Sequence, residues 1–124
     1  MSKLILGFCL IIGVNLYADL VSDGVDEYNK NNYIEALELW EKACDSGSIA
    51  GCNNLAFMYA NGKGVHFDEK RASELYTLTC DAGDSTACSN LGAIYENGVG
   101  KVRQNFVKAS RLYAKSCDAG NIMG

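Results

Sequence analysis

Apolar or small residues recur along this chain at the three- and four-residue spacing that marks one face of a helix. In residues 36–43 they occupy positions i, i+3, i+4 and i+7, and residues 52–59, 72–79 and 88–95 repeat this spacing. The alternation of apolar and polar residues that is typical of half-buried strands does not occur in the sequence. The pattern therefore predicts an all-α protein built from amphipathic helices.

The cysteines give the period of a repeat. Cys44 and Cys52 are eight residues apart, as are Cys80 and Cys88. The two pairs are offset by 36 residues, and Cys117 follows Cys80 after 37 residues. A fixed period of this size is typical of stacked supersecondary units. It predicts helical-hairpin repeats over roughly residues 22–47, 48–83 and 84–120.

The loops between the predicted helices carry residues that end and begin helices. Gly47 and Gly83 follow predicted helices, where glycine adopts the left-handed conformation at little cost. Ser48 and Asp84 come next, in the position of helix N-caps. Within a later helix, the small residue Gly92 allows a neighbouring helix to approach closely.

Each cysteine pair is expected to form a disulfide. In one continuous helix, residues eight apart are separated by about 12 Å of rise, whereas a disulfide needs Cα atoms within about 7 Å. The chain must therefore turn back inside each pair, so that the disulfides Cys44–Cys52 and Cys80–Cys88 each close a turn between two antiparallel helices. Zinc is the alternative, but it requires four ligands and more closely spaced cysteines. We expect neither a metal nor another cofactor.

Cys117 begins a third copy of the cysteine pattern. Its partner would fall at position 125, one residue beyond Gly124. We expect an unpaired thiol at Cys117, which is consistent either with a fragment or premature stop or with a cysteine that pairs between molecules.

The first 18 residues resemble a secretory signal peptide. Lys3 precedes an uninterrupted apolar run at residues 4–14, which is too short for a membrane-spanning helix of about 20 residues. Cys9 lies inside this run, so lipidation of the chain is disfavoured. We predict cleavage after Ala18, a domain over residues 19–124, and a secreted protein in the periplasm or outside the cell, where cysteines pair.

Charge narrows the range of partners. The chain has 11 basic and 15 acidic residues, for a formal net charge of −4. Nucleic-acid affinity depends largely on basic side chains that contact phosphates. An acidic chain without a basic cluster is therefore not expected to bind nucleic acid.

The motifs Ala-x-x-Leu-Tyr/Trp, Cys-Asp-x-Gly, Cys-x-Asn-Leu and Tyr-x-Asn-Gly-x-Gly strongly resemble the Sel-one-like repeat. With their paired cysteines, residues 22–124 resemble the Helicobacter cysteine-rich protein family. The resemblance implies a right-handed α/α superhelical solenoid related to tetratricopeptide repeats, with one disulfide per repeat. It also implies a secreted protein that binds β-lactams and hydrolyses them slowly.

The residues of a β-lactamase are not evident in the sequence. A serine enzyme of this type needs a serine three residues before a lysine, and no lysine here has one. A metalloenzyme needs several histidines, and only His66 is present, in a variable loop. Catalytic residues therefore remain unknown. Helix periodicity places most of the possible general bases on solvated faces: Glu27, Glu35, Glu38, Glu41, Glu69, Glu74 and Glu96.

The competing hypothesis is a binding module. Helical solenoids hold ligands on a concave surface formed by the first helix of each repeat. The candidate ligand-binding residues on those helices are Asn54, Phe57, Asn90 and Ile94, and the equivalent amides of Asn54 and Asn90 could hold an extended peptide. These residues could instead bond to neighbouring loops. The candidate partners are a peptide, a peptidoglycan fragment or β-lactam, and a host protein.

Overall fold

A computed structural model describes residues 18–99 and 101–118, and every regular element within them is an α-helix. The predicted signal peptide lies outside the described residues, apart from Ala18. The described part of helix α1 covers residues 18–29. The other helices have 13 residues each: α2 (Tyr33–Asp45), α3 (Ile49–Asn61), α4 (Glu69–Asp81), α5 (Ser85–Asn97) and α6 (Phe106–Asp118).

The helices form a linear stack of hairpins. From α2 to α6, each helix packs mainly against the helix before it and the helix after it. The predicted all-α solenoid is confirmed. We call α1, α3 and α5 the first helices of the hairpins and α2, α4 and α6 the second helices. None of the helices in the described ranges is long and apolar enough to cross a membrane.

The turns between hairpins form as predicted. The Ser48 hydroxyl accepts a hydrogen bond from the Gly51 amide at 3.0 Å, and Asp84 accepts one from the Ala87 amide at 2.9 Å. These N-caps satisfy amides that lack partners in the first turn of a helix. Gly47 precedes Ser48 with a φ of 99°, a conformation that favours glycine.

Two disulfides hold the turns closed. Cys44 pairs with Cys52, and Cys80 pairs with Cys88, with Cα–Cα distances of 4.4 and 4.7 Å. The four sulfurs are therefore not zinc ligands, and each of the two turns has one disulfide. Cys117 is exposed and its thiol is free in the structure.

In the first and third hairpins, a small residue on the first helix faces an aromatic ring on the second. Gly92 of α5 lies so close to Tyr113 of α6 that an added Cβ would be 2.9 Å from the ring. Gly24 of α1 leaves similar room for Trp40 of α2. Ala56 has the corresponding position in α3 and is fully buried. The predicted close approach at Gly92 is confirmed.

Charge is unevenly distributed along the stack. Residues 18–45 contain eight acidic and two basic residues, whereas residues 101–118 contain five basic residues and one acidic residue. A cleft of about 530 Å³ between α1 and α2 is lined mainly by acidic side chains. In α6, Lys115 forms an ion pair with Asp81 of α4 at 3.1 Å.

We predict that Gly92→Ala destabilises the fold, although the same change in an unobstructed helix stabilises it by about 1 kcal/mol. The new methyl group would displace the Tyr113 ring, and overpacking of this kind costs about 1–3 kcal/mol. Urea denaturation followed by circular dichroism measures the change. In a Tyr113→Leu background, Gly92→Ala should lose most of its effect. A more stable Gly92→Ala protein would contradict the proposed packing constraint.

Candidate ligand-binding site

The structure separates the four candidate residues into surface and core. Asn54 in α3 and Asn90 in α5 hold equivalent positions, the first partly exposed and the second exposed. Phe57 is 41% exposed. Ile94 is only 6% exposed, as a member of the hydrophobic core. Its side chain therefore stabilises the hairpin stack. The candidate binding surface then consists of Asn54, Phe57 and Asn90.

Phe57 belongs to an aromatic cluster that the sequence analysis missed. The Tyr28 ring lies at its centre, with centroid distances of 5.1 Å to Tyr33, 5.9 Å to Trp40 and 6.1 Å to Phe57. Trp40 is buried beneath, whereas the two tyrosines are partly exposed. We call Tyr28, Tyr33 and Phe57 the aromatic patch. Offset and tilted ring pairs of this kind are favourable and provide a large apolar surface.

A cation borders the aromatic patch. The Lys63 ammonium lies 5.0 Å from the centroid of the Tyr33 ring, within the range of a cation–π contact. Lys63 comes from the loop after α3, while Tyr33 begins α2. The patch is thus assembled from three helices and a loop, and no segment of the sequence contains it by itself.

The next hairpin has different chemistry in the equivalent positions. Tyr33 corresponds to Glu69 and Trp40 to Tyr76, at the same places in α2 and α4. The Asn90 side chain lies next to the Tyr76 hydroxyl. We call Glu69, Tyr76 and Asn90 the polar site.

Glu69 is an exception to the solvated positions expected for most of the glutamates, because only 7% of its surface is exposed. Burial raises the pKa of the Glu69 carboxyl above its usual value, since the charged form loses hydration. Burial also raises the pKa of the Tyr76 phenol, an effect to which the nearby Glu69 charge contributes.

A carboxylate also meets a tyrosine at the third hairpin, but there the two form a hydrogen bond. The Tyr113 hydroxyl donates to a Glu96 carboxylate oxygen at 2.6 Å. This hydrogen bond raises the pKa of the Tyr113 phenol. Tyr113 corresponds to Tyr76. The two hairpins therefore differ in whether the nearby carboxylate, Glu96 or Glu69, accepts a hydrogen bond from the tyrosine.

Residues beside the candidate amides stabilise the stack. The Asn53 side-chain amide donates to the Asp84 carboxylate at 3.1 Å and links α3 to the N-cap of α5. One hairpin later, the Ser89 and Ser116 hydroxyls are 2.6 Å apart. This bond to a neighbouring helix cap is made by Asn53, the residue before the candidate amide Asn54.

Within the part of the chain that the structure describes, no three histidine, cysteine or acidic side chains are grouped closely enough to hold a metal ion. His66 is exposed in the loop between α3 and α4. In the same described ranges, none of the hydrogen bonds made by a serine or threonine hydroxyl joins it to a lysine, histidine or carboxylate side chain.

The hairpins match a known repeat family along most of the chain. The Sel1 repeat model matches three consecutive segments, residues 15–48, 49–84 and 85–121. The chain belongs to the Sel1 repeat family. Each segment of the match contains one first helix and one second helix, including the described part of α1.

Relatives among the Helicobacter cysteine-rich proteins share the sequence and the fold. β-Lactamase HcpA of Helicobacter pylori is 39% identical over 54 residues, which cover 44% of this chain. Helicobacter pylori cysteine-rich protein B has a solved structure with a TM-score of 0.65 and 24% identity, covering 85% of this chain and 89% of that protein. A Sel1 repeat protein from Oxalobacter formigenes gives a TM-score of 0.73 and 26% identity, covering 79% of this chain and 40% of that one.

The sequence match covers only a small part of these relatives. It spans 22% of HcpA, and between 12% and 18% of the other Helicobacter proteins compared. The shared region is thus the repeat itself, and over that region this Sel1-repeat chain is similar to the Helicobacter cysteine-rich proteins.

We predict that Glu69→Gln raises the free energy of unfolding at pH 7 more than at pH 4. Burial raises the pKa of Glu69 in the folded state, so the folded protein retains a proton that the unfolded chain releases. The free energy of unfolding therefore falls as pH rises through this range, and glutamine removes that loss. Urea denaturation at pH 4, 5.5 and 7 measures the effect.

Glu74→Gln is the matched control for this experiment. Glu74 lies on the same helix, is largely exposed and forms a 3.6 Å ion pair with Arg71. Removal of an exposed pair changes stability by about 0–1 kcal/mol, with a loss rather than a gain. Equal pH profiles for the two variants would show that Glu69 does not differ from a surface carboxylate.

Proposed function

We propose that this protein is an exported interaction module that binds an extended peptide along the face formed by its first helices. The observation that carries the proposal is the aromatic patch, in which the half-exposed Phe57 stands beside Tyr28 and Tyr33. Aromatic side chains are enriched where proteins bind partners, because they bury large apolar areas at little entropic cost.

The amides next to the patch would hold the peptide backbone. Asn54 and Asn90 stand one hairpin apart on the same side of α3 and α5, and each side-chain amide can donate and accept. The Asn90 amide lies next to the Tyr76 hydroxyl. Apolar peptide side chains would lie on the aromatic patch. The ligands that fit this description are a peptide, the peptide portion of peptidoglycan, or an exposed segment of a host or envelope protein.

Export is supported by the covalent chemistry of the turns. Structural disulfides persist in oxidising compartments such as the periplasm and the extracellular space, and two are present. The similarity of the chain to the Helicobacter cysteine-rich proteins agrees with this location. We infer that residues 1–18 act as a signal peptide and that cleavage after Ala18 releases a secreted protein.

Weak β-lactam hydrolysis is the second candidate function, because the relative HcpA is named a β-lactamase. A β-lactam mimics a peptidoglycan peptide, so it could occupy a peptide-binding surface. An activated nucleophile needs an adjacent base, and none of the serine or threonine hydroxyls in the described residues is bonded to one. We therefore propose binding as the principal function.

We predict that Phe57→Ser lowers retention of a random hexapeptide library on the immobilised, oxidised protein at least about tenfold, equivalent to 1.4 kcal/mol. The change removes the exposed ring at the centre of the proposed contact. Phe106→Ser is the matched control, because Phe106 is 64% exposed at the start of α6, in the hairpin after the one that contains Phe57. Equal losses in the two variants would argue against the aromatic patch as the binding surface.

Nitrocefin turnover distinguishes the two candidate functions. We expect the oxidised protein to hydrolyse nitrocefin no faster than a heat-inactivated sample, since no activated nucleophile has been identified. The measurement is the increase in absorbance of the cleaved product with time. Turnover that rises in proportion to the concentration of folded protein would instead establish hydrolysis.

A further inference from the structure

We propose that the polar site binds a cationic group of the peptide, a lysine ammonium or an arginine guanidinium, through the Glu69 carboxylate. This inference rests on the proposed function and specifies the class of peptide. A ligand would place an apolar side chain on the aromatic patch and a basic side chain in the polar site, one hairpin further along.

The first argument is the environment of Glu69. The residue is 93% buried, yet none of the hydrogen bonds or ion pairs in the described ranges engages its carboxylate. A buried carboxylate without a partner is costly. Among side chains in these ranges, the only fully buried nitrogen or oxygen atom without a partner is Oδ1 of Asn53. The Glu69 oxygens therefore retain contact with solvent and remain accessible to a small cationic group.

The second argument is the space around the polar site. When the first helices are aligned by their C-terminal ends, Tyr28 of the aromatic patch aligns with Ala60 of α3. Phe57 aligns in the same way with Ala93 of α5. Both alanines are partly exposed. Two rings that cover the first interface are thus replaced by methyl groups at the second, next to Glu69. The same backbone arrangement therefore carries aromatic rings in one hairpin and small side chains in the next.

The third argument is the set of acceptors. A lysine ammonium has three donors and no acceptor. The Glu69 carboxylate, the Tyr76 oxygen and the Asn90 carbonyl oxygen can all accept hydrogen bonds. A divalent metal is a poorer match, since calcium takes six to eight oxygen ligands with several carboxylates. One carboxylate with two neutral oxygens suits a single positive charge.

None of the ion pairs among the described residues involves Glu69. On the same helix, Arg71 forms an ion pair with Glu74 and lies 6.0 Å from the centroid of the Tyr59 ring. At the third hairpin, by contrast, the Glu96 carboxylate accepts a hydrogen bond from Tyr113. Glu69 is therefore available to a ligand, and Glu96 provides an internal control.

The test uses random hexapeptides with acetylated N-termini and amidated C-termini, so that side chains supply the only cations. The library is passed at pH 7.5 over the immobilised, oxidised full chain, and retained peptides are sequenced by mass spectrometry. A charge-assisted hydrogen bond contributes about 1.5–3 kcal/mol, so we expect lysine and arginine to be enriched at least about tenfold. Glu69→Gln should abolish the enrichment, and Glu96→Gln should retain it.

The outcomes separate this inference from the function on which it rests. Peptides retained without enrichment of basic residues, or with the same enrichment in Glu69→Gln, would overturn the inference and leave the peptide-binding function intact. Retention of no peptide by the native chain would overturn both. Circular dichroism spectra of the two variants establish that each retains the helical fold, so that loss of enrichment reports on the site.

Discussion

The close contact between a small residue and an aromatic ring sets the geometry of each hairpin. Where Gly92 meets Tyr113, and Gly24 meets Trp40, the first helix has no side chain that could hold the second helix away. The disulfides act at the other junction, where a second helix turns into the next first helix. From α2 to α5, each helix is therefore fixed to both neighbours, by packing on one side and by a covalent bridge on the other. A short solenoid needs both devices, because each repeat contacts only its neighbours.

The residues that hold the hairpins also determine the chemistry of the surface. The ring of each second helix has a polar group that reaches a different partner in each repeat. The Trp40 indole donates to the backbone carbonyl of Val21 at 3.1 Å, the Tyr76 hydroxyl lies next to the Asn90 side chain, and the Tyr113 hydroxyl bonds to Glu96. The same packing position thus has three different polar surroundings, and Glu69 near the middle one is buried with no hydrogen bond or ion pair to its carboxylate among the described residues.

Local features were predictable from the sequence, whereas features that join repeats were not. The helices, the N-caps at Ser48 and Asp84 and both disulfides follow from spacings within about ten residues. The aromatic patch escaped prediction because the loop before α2 has three residues and the loop before α4 has seven. The 36-residue period therefore does not align α1 with α3, and Tyr28 has no visible counterpart. The burial of Ile94 and Glu69 was not predicted for a related reason, since it depends on helices of adjacent hairpins.

The separation of charge along the stack has a consequence for how partners approach. The acidic α1–α2 end and the basic α6 end give the molecule an electric dipole along its long direction. At physiological ionic strength, fields decay over about 8 Å, so a partner senses the sign of the end it nears rather than the net charge of −4. Oppositely charged ends orient the protein before contact and make its encounter rates depend on salt. Addition of salt would reduce this orienting torque without altering the packing of the hairpins.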